Sequence, residues 1–577
     1  MRKILLLLAI LWCATTAQAS KAWPYPMTFT QSDGSQITVY LHGDADYSWY
    51  TDTEGNLLQR VGNDFKPMTI DPETFYKKVS SARRASAMRR EKINGNPSLT
   101  PHMGKVKVCV ILAEFSDKKF TLTDPVKSFN QFLNKTDNHP AEFGFHESDN
   151  YYSVKKYFED MSFGLFTPEF DVYGPVTVDQ PMAYYGGTAD NGRDEKYSEF
   201  MKDVVMKADG NIDFSQYDSN QDGNVDCVYV IFAGRGQNMG GANETLWSKS
   251  FSMSGLTVDN KKVVRCGINN ELLAHEEFDN GIPHITSIGV FCHEFSHCLG
   301  LPDFYNTSPG RHLDDNQGME DWDLMDNGEY VRNGCQPTAY TAWEREAMGW
   351  MTIDTLKEAG TYQLTSIDNG GKAYRIVNED NPSEYYVVQY FFNEGWNTRV
   401  GRSLNDPKVG GLLLYHVDYN ATTFSLSSNS PNNVVGKPGM TVVPADGRLI
   451  SSYWLDSNTT QYFNQTTISR AEYNASLRGD LFANGVSIET DSSLPNYQWY
   501  TASTPQAFHD ITFSEDGYVY FGLNQEVPTA INHIDKDNKN IESDNRVYTL
   551  DGRYMGNSLD NLPKGIYIKG HRKYVVR

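Results

Sequence analysis

His293 to Asp303 reads HEFSHCLGLPD, and the fold follows from what this stretch demands of its surroundings. His293 and His297 stand four apart, so on an α-helix both imidazoles leave one face and can share a metal about 2 Å from each ligand nitrogen. Glu294 lies about 100° round the same helix, close enough to hold a water without occupying the metal. Gly300 ends the helix, where a positive φ is often needed. Leu301-Pro302 then carries the chain to Asp303, a carboxylate able to supply a third ligand. Ile288, Val290, Phe291, Cys292, Phe295, Cys298 and Leu299 surround these polar groups on nearly every side, so the helix is expected to be buried. Two imidazoles and a carboxylate placed there are costly without compensation, and a metal supplies it. A chance HExxH in a chain of this length has odds on the order of one per cent, and the added Gly and acid lower them about a hundredfold.

A buried helix needs a sheet to lie on. Lys105 to Phe115 (KVKVCVILAEF) and Cys227 to Phe232 (CVYVIF) are continuous apolar runs of the kind a doubly covered strand requires, and Val154 to Met161 reads as a helix. Strands interleaved with helices predict an α/β domain over 104–355, a twisted sheet carrying the helix of the HEFSH motif. From 356 to 524 short alternating segments (YRIV, EYYVVQYF, GLLLYHVDY, YVYFGL) predict a mostly β, sandwich-like domain. Residues 525–545 are polar enough for a linker, and 546–577 form a short β segment.

The amino terminus has the pattern of an export signal. Residues 1–19 carry Arg2 and Lys3, an apolar run and Ala17-Gln18-Ala19 as a small-residue cleavage site. No later stretch reaches 18 apolar residues, so no transmembrane segment is expected. Six of the seven cysteines follow residue 19; in 577 residues they allow disulfides but cannot make them the main source of stability. The formal charge of -22 argues against a nucleic-acid partner. Residues 77–92 stand apart, with seven basic residues against one acid. They read as a solvated linker or, given the paired arginines and the Asn-Gly-Asn-Pro nearby, as a maturation site that makes 20–103 a prosegment. That segment has no Cys, so latency would need a carboxylate such as Asp44 or Asp46, or simple occlusion.

The HExxHxxGxxD pattern, followed by Trp322-Asp323-Leu324-Met325-Asp326, resembles the metzincin branch of zinc peptidases, with Met325 as the methionine of the turn below the metal and Asp303 where His is usual. The stretches KVCVILAEFSD (107–117), SVKKYFEDMSFGLFTPEFDVYGPV (153–176), HEFSHCLGLPDFY, WDLMDNGEY, AWEREAMGW (342–350) and GGLLLYHVD (410–418) resemble the secreted immune inhibitor A-type metallopeptidases. The resemblance implies a zincin-like catalytic domain, Zn2+ on His293, His297 and Asp303, Glu294 as general base, and a secreted or cell-surface pre-pro-enzyme acting on proteins or peptides. Tyr330 is a candidate oxyanion donor, with an ordinary surface tyrosine as the alternative.

Asp218, Asn220, Asp222, Asn224 and Asp226 place oxygen donors at alternate positions, as in the first nine positions of a calcium loop, and family members often bind Ca2+; an Asx-rich turn is the alternative. His416 and Asp418 alternate on one strand and are read as structural. The C-terminal segment is read either as a signal for secretion or surface-attachment machinery or as a plain hairpin. A second function class also stays open: a secreted binding or adhesion protein with a decayed protease domain.

Overall fold

The computed structural model describes residues 17–577 apart from 24–25, 45–46, 69–98, 137–149, 188–193, 274–283, 308–317, 404, 435, 450–469, 502, 515–516, 528–546 and short stretches beyond 549. The basic stretch 77–92, residues 1–16 of the expected signal and most of the 525–545 linker therefore lie outside the described residues.

The central sheet combines β1 (Ala17–Ala19), β2 (Gly104–Glu114), β3 (Phe166–Thr177), β4 (Val228–Arg235), β5 (Lys249–Ser252) and β6 (Arg265–Leu272) in the order β1-β5-β6-β4-β2-β3. β6, β4, β2 and β3 run parallel; β5 joins β6 antiparallel, and β1 adds antiparallel to the free edge of β5. Alternate residues of β2 feed two cores, which is why its sequence is apolar without a break. Val108, Val110 and Leu112 face a cluster with Phe158, Phe291 and Phe295. Cys109, Ile111 and Ala113 face Phe200 and Val204.

Two helices matter for the site. α1 (Val154–Met161) has the bounds expected from sequence and starts at Ser153, whose hydroxyl accepts from the Lys156 amide. α2 (Ile288–Leu299) is buried along its whole length. It packs this closely because Gly289 abuts the backbone of Glu329: a Cβ there would sit 1.9 Å from the Glu329 carbonyl oxygen. Gly300 closes α2 at φ +123°, as its place in the motif required.

The β-rich region holds a five-stranded sheet, β7 (Asp354–Leu356), β8 (Ala373–Asn378), β9 (Asn381–Phe392), β10 (Gly410–Asp418) and β11 (Met440–Val442), and a three-stranded sheet of Gly360–Leu364, Val519–Leu523 and Phe508–Phe513. Residues of both sheets, among them Tyr386, Leu412, Leu364 and Phe521, share one core. A helix at Arg470–Gly479 interrupts the expected run of strands. Its Tyr473 and Leu477 belong to the same apolar cluster as Phe291, Trp322, Trp343 and Leu413, so one core runs from α2 into the β-rich region. His416 is paired with Glu384 at 3.0 Å within that region, in keeping with its structural reading.

Residues 27–67 form a five-stranded antiparallel sheet that includes the Gln36–Asp44 strand. Its apolar face, with Val39, Leu41 and Tyr50, packs on Trp247, Val290 and Tyr330. The six cysteines from Cys109 to Cys335 are all buried and free, so none of the disulfides that the count allowed is formed. Among the described residues no helix is long and apolar enough to cross a membrane.

Candidate active site

α2 delivers both imidazoles to one point. His293 Nε2 and His297 Nε2 lie 3.1 and 3.2 Å from the same atom, Asp303 Oδ1, and none of these three atoms has a hydrogen-bond partner. They form the one His/Cys/Asp/Glu group among the described residues that could hold a metal ion. Each ring is oriented from behind. His293 Nδ1 donates to the Leu324 carbonyl at 2.9 Å and His297 Nδ1 to the Leu301 carbonyl at 2.7 Å, which turns both Nε2 atoms toward Asp303. The turn around Met325 thus acts on the site through the neighbouring carbonyl, while the buried Met325 accepts the Phe304 amide on its own carbonyl oxygen.

Asp303 is held from the β-rich region. Its Oδ2 accepts from Asn429 Nδ2 at 2.6 Å, and its amide donates to Asn429 Oδ1 at 2.7 Å. Asn429 was missed by sequence reasoning; its one signal, an Asn in a run of Ser and Asn, is common to many turns.

Buried titratable groups are concentrated at the site. Burial would lift the Asp303 carboxyl, but His297 and His293 hold it well below the usual carboxylate range. For His293, burial is outweighed by Glu329 and Asp303, which push it up to about 10. Burial, with the neighbouring charges of Glu329 and Asp303, drives Glu294 well above the ordinary range against the pull of His293 and the Ser20 amide. Three acids gathered round two imidazoles with unpartnered inward atoms are a chemically fitting donor set for a divalent transition metal.

The space beside Glu294 is filled by the chain itself. β1 pairs Ala17 with Phe251 and Ala19 with Lys249, and Ser20 N then donates to Glu294 Oε1 at 2.7 Å. Trp247 Nε1 donates to the Ser20 carbonyl at 3.0 Å and Tyr330 Oη to the Lys21 carbonyl at 2.7 Å. Tyr330 is fully buried, which overturns the surface-tyrosine alternative, and its hydroxyl meets a backbone carbonyl one residue beyond the atom on Glu294. Of the carboxylates suggested for latency, the Asp44 side chain and Asp46 lie outside the described residues.

The 218–226 loop is brought together as a turn. Asp218 accepts from the Asp222 and Gly223 amides and pairs with Lys261 Nζ at 2.5 Å, Asp222 accepts from Asn224 N, and Asp226 accepts from Ser219 N. Asn220 donates its side-chain amide to Asp222 at 3.2 Å.

Residues 99–351 match the family described as immune inhibitor A peptidase M6, catalytic domain. The chain is similar to the immune inhibitor A of Bacillus thuringiensis subsp. alesti, 30% identical over 280 residues that cover 42% of this chain and 39% of that protein. It is also similar to the pre-pro-metalloprotease PrtV of Vibrio cholerae serotype O1 (strain M66-2), 26% identical over 222 residues, 34% of this chain and 24% of that one. The chain thus spans well under half the length of the curated relatives it matches.

Proposed function

We propose that this chain, whose residues 99–351 match the immune inhibitor A-type M6 catalytic domain, is a secreted, zinc-dependent endopeptidase made with an N-terminal prosegment and a zincin-like catalytic domain. The observation that carries the reading is the convergence of three unpartnered ligand atoms beside a carboxylate that already grips a backbone nitrogen.

His293, His297 and Asp303 would hold Zn2+. When bound, the ion supplies Lewis acidity, polarising a peptide carbonyl and making water acidic at neutral pH. The chain's own groups do the rest. β5 offers its edge to an extended substrate by strand addition, as it does to Ala17–Ala19. Trp247 and Tyr330 hold the backbone carbonyls that follow. Glu294 takes the proton of the attacking water and returns it to the leaving nitrogen, the kind of atom its Oε1 now meets in Ser20. Asp303 in place of His would bring more negative charge to the ion than a third imidazole.

The occupied cleft supports latency by occlusion. Export cleavage after Ala19 would leave the α-ammonium of Ser20 beside Glu294, so the prosegment would block the base with its own terminus until a cut in 77–92 releases it. Calcium at 218–226 is a second proposal. It requires Lys261 to leave Asp218, and is tested by whether millimolar Ca2+ raises the melting temperature of the wild type more than that of Asp222→Ala.

The decisive assay is casein cleavage by the secreted, processed protein. Cleavage should be abolished by 1,10-phenanthroline and by Glu294→Gln, with one equivalent of zinc retained in the variant. Cleavage unchanged by Glu294→Gln would defeat the mechanism. An absence of cleavage by the wild type, with a stable bound partner, would favour the binding-protein alternative.

A further inference from the structure

Lys21 carries a buried ammonium into the cleft from the far end of the chain. Its Nζ lies 2.5 Å from Asp326 Oδ1, with the two side chains 5% and 1% exposed, and 4.8 Å from the centre of the Tyr305 ring. Glu329 also faces this charge. The receiving carboxylate is built independently of Lys21, because Asp326 Oδ2 is fixed by the amides of Met319 and Glu320 at 2.9 and 3.0 Å. Tyr305 stands two residues after the ligand Asp303, and Asp326 directly follows Met325. The pocket is therefore rooted in the same two turns as the metal site.

A buried carboxylate that loses its cation is strongly unfavourable. Release of the prosegment withdraws the ammonium from Asp326 and leaves the tethered carboxylate, with an aromatic face beside it, opening on the substrate path. Position along that path follows from Glu294. The nitrogen it holds belongs to Ser20, so Ser20 occupies the place of the residue that begins the departing product, and Lys21 the place of the next.

We propose that Asp326 and Tyr305 form a specificity pocket for a long cationic side chain, Lys foremost, at the second residue after the scissile bond. The prosegment fills that pocket with Lys21 in the manner of a product. The proposal rests on the peptidase reading and adds a substrate class to it.

The test uses the secreted, processed enzyme and peptides of one backbone with Lys, Ala or Glu at that position. The Lys peptide should be preferred over Ala by about tenfold or more in kcat/KM, with Glu the poorest. Asp326→Asn should collapse the Lys-to-Ala ratio towards one, and Tyr305→Leu should lower it about threefold. A wild-type ratio near one, or a ratio untouched by both substitutions, overturns the pocket and leaves Lys21 as a structural anchor only. A second readout needs no catalysis: a labelled heptapeptide of residues 17–23 should bind the processed protein at least tenfold more tightly than its Lys21→Glu counterpart. Lys-dependent binding without any cleavage would keep the pocket and defeat the peptidase reading. Equal binding of the two peptides would overturn the pocket.

Discussion

Asn429 and Asp303 exchange two hydrogen bonds, amide to side-chain oxygen in one direction and side-chain amide to carboxylate in the other. A residue of the β-rich region thereby fixes both the backbone and the carboxylate of a candidate metal ligand. Asn429→Ala should weaken zinc binding about 10- to 100-fold, the usual cost of losing a partner behind a ligand. Competition with a chromophoric chelator measures it. Unchanged affinity would mean that Asp303 is held well enough by its own turn.

Metal removal should soften the whole molecule. An ion that binds only the folded chain stabilises it by about 2.7 kcal/mol at a free concentration a hundred times its dissociation constant. Dialysis against a chelator should lower the melting temperature, and zinc, but not magnesium, should restore it. A melting temperature indifferent to the chelator would remove the metal from the account.

Lys21→Met in the full-length protein should loosen the proposed prosegment by roughly 3–5 kcal/mol, because it strips the cation from a buried pair. Earlier maturation and premature proteolysis are the expected signs, followed by electrophoresis over time. Maturation at the wild-type pace would show that the Met27–Pro67 sheet holds the prosegment without help from Lys21.

Glu271 gives a pH test away from the metal. Burial raises its carboxyl to about 7, although it accepts the amides of Gly234, Leu122 and Thr121. Below the ordinary carboxylate range folded and unfolded chains both hold the proton. Between that range and about 7 the unfolded chain releases it first, so stability falls as pH rises through this window, by about 3 kcal/mol in total, and levels off above it. Urea midpoints at pH 5 and 7.5 should converge more closely in Glu271→Gln than in wild type. An identical pH slope in both would refute the raised value.

Much of the site could be read before any fold was known. The i, i+4 imidazoles, Glu294, Gly300 and Asp303 lie within one helix and one turn, where spacing translates directly into direction. β2 and β4 were legible for a similar reason, since a strand covered on both faces must be apolar at every position. Asn429 could not be found this way, because its role depends on a loop that folds back across the chain, and no local rule encodes that distance. The Arg470–Gly479 helix escaped notice because RAEYNASLRG buries little more than Tyr473, Asn474, Ser476 and Leu477 against an existing core and has no broad apolar stripe. The contact of Ser20 with Glu294 was open for another reason: it runs through a backbone amide, a group every residue but proline carries.

The apolar cluster that joins α2 to β10 has a bearing on how such chains change over generations. Trp322 packs edge-on to Phe391, Trp343 bonds Tyr385, and Ala342 bonds Gln389, so the recognisable peptidase stretch is welded to the sheet beyond it. A recombination event that moved residues 99–351 alone into a new host protein would strand a raw hydrophobic face and leave Asp303 without its brace. Lineages carrying this chain should therefore inherit both regions as one piece, and swap only what lies outside them.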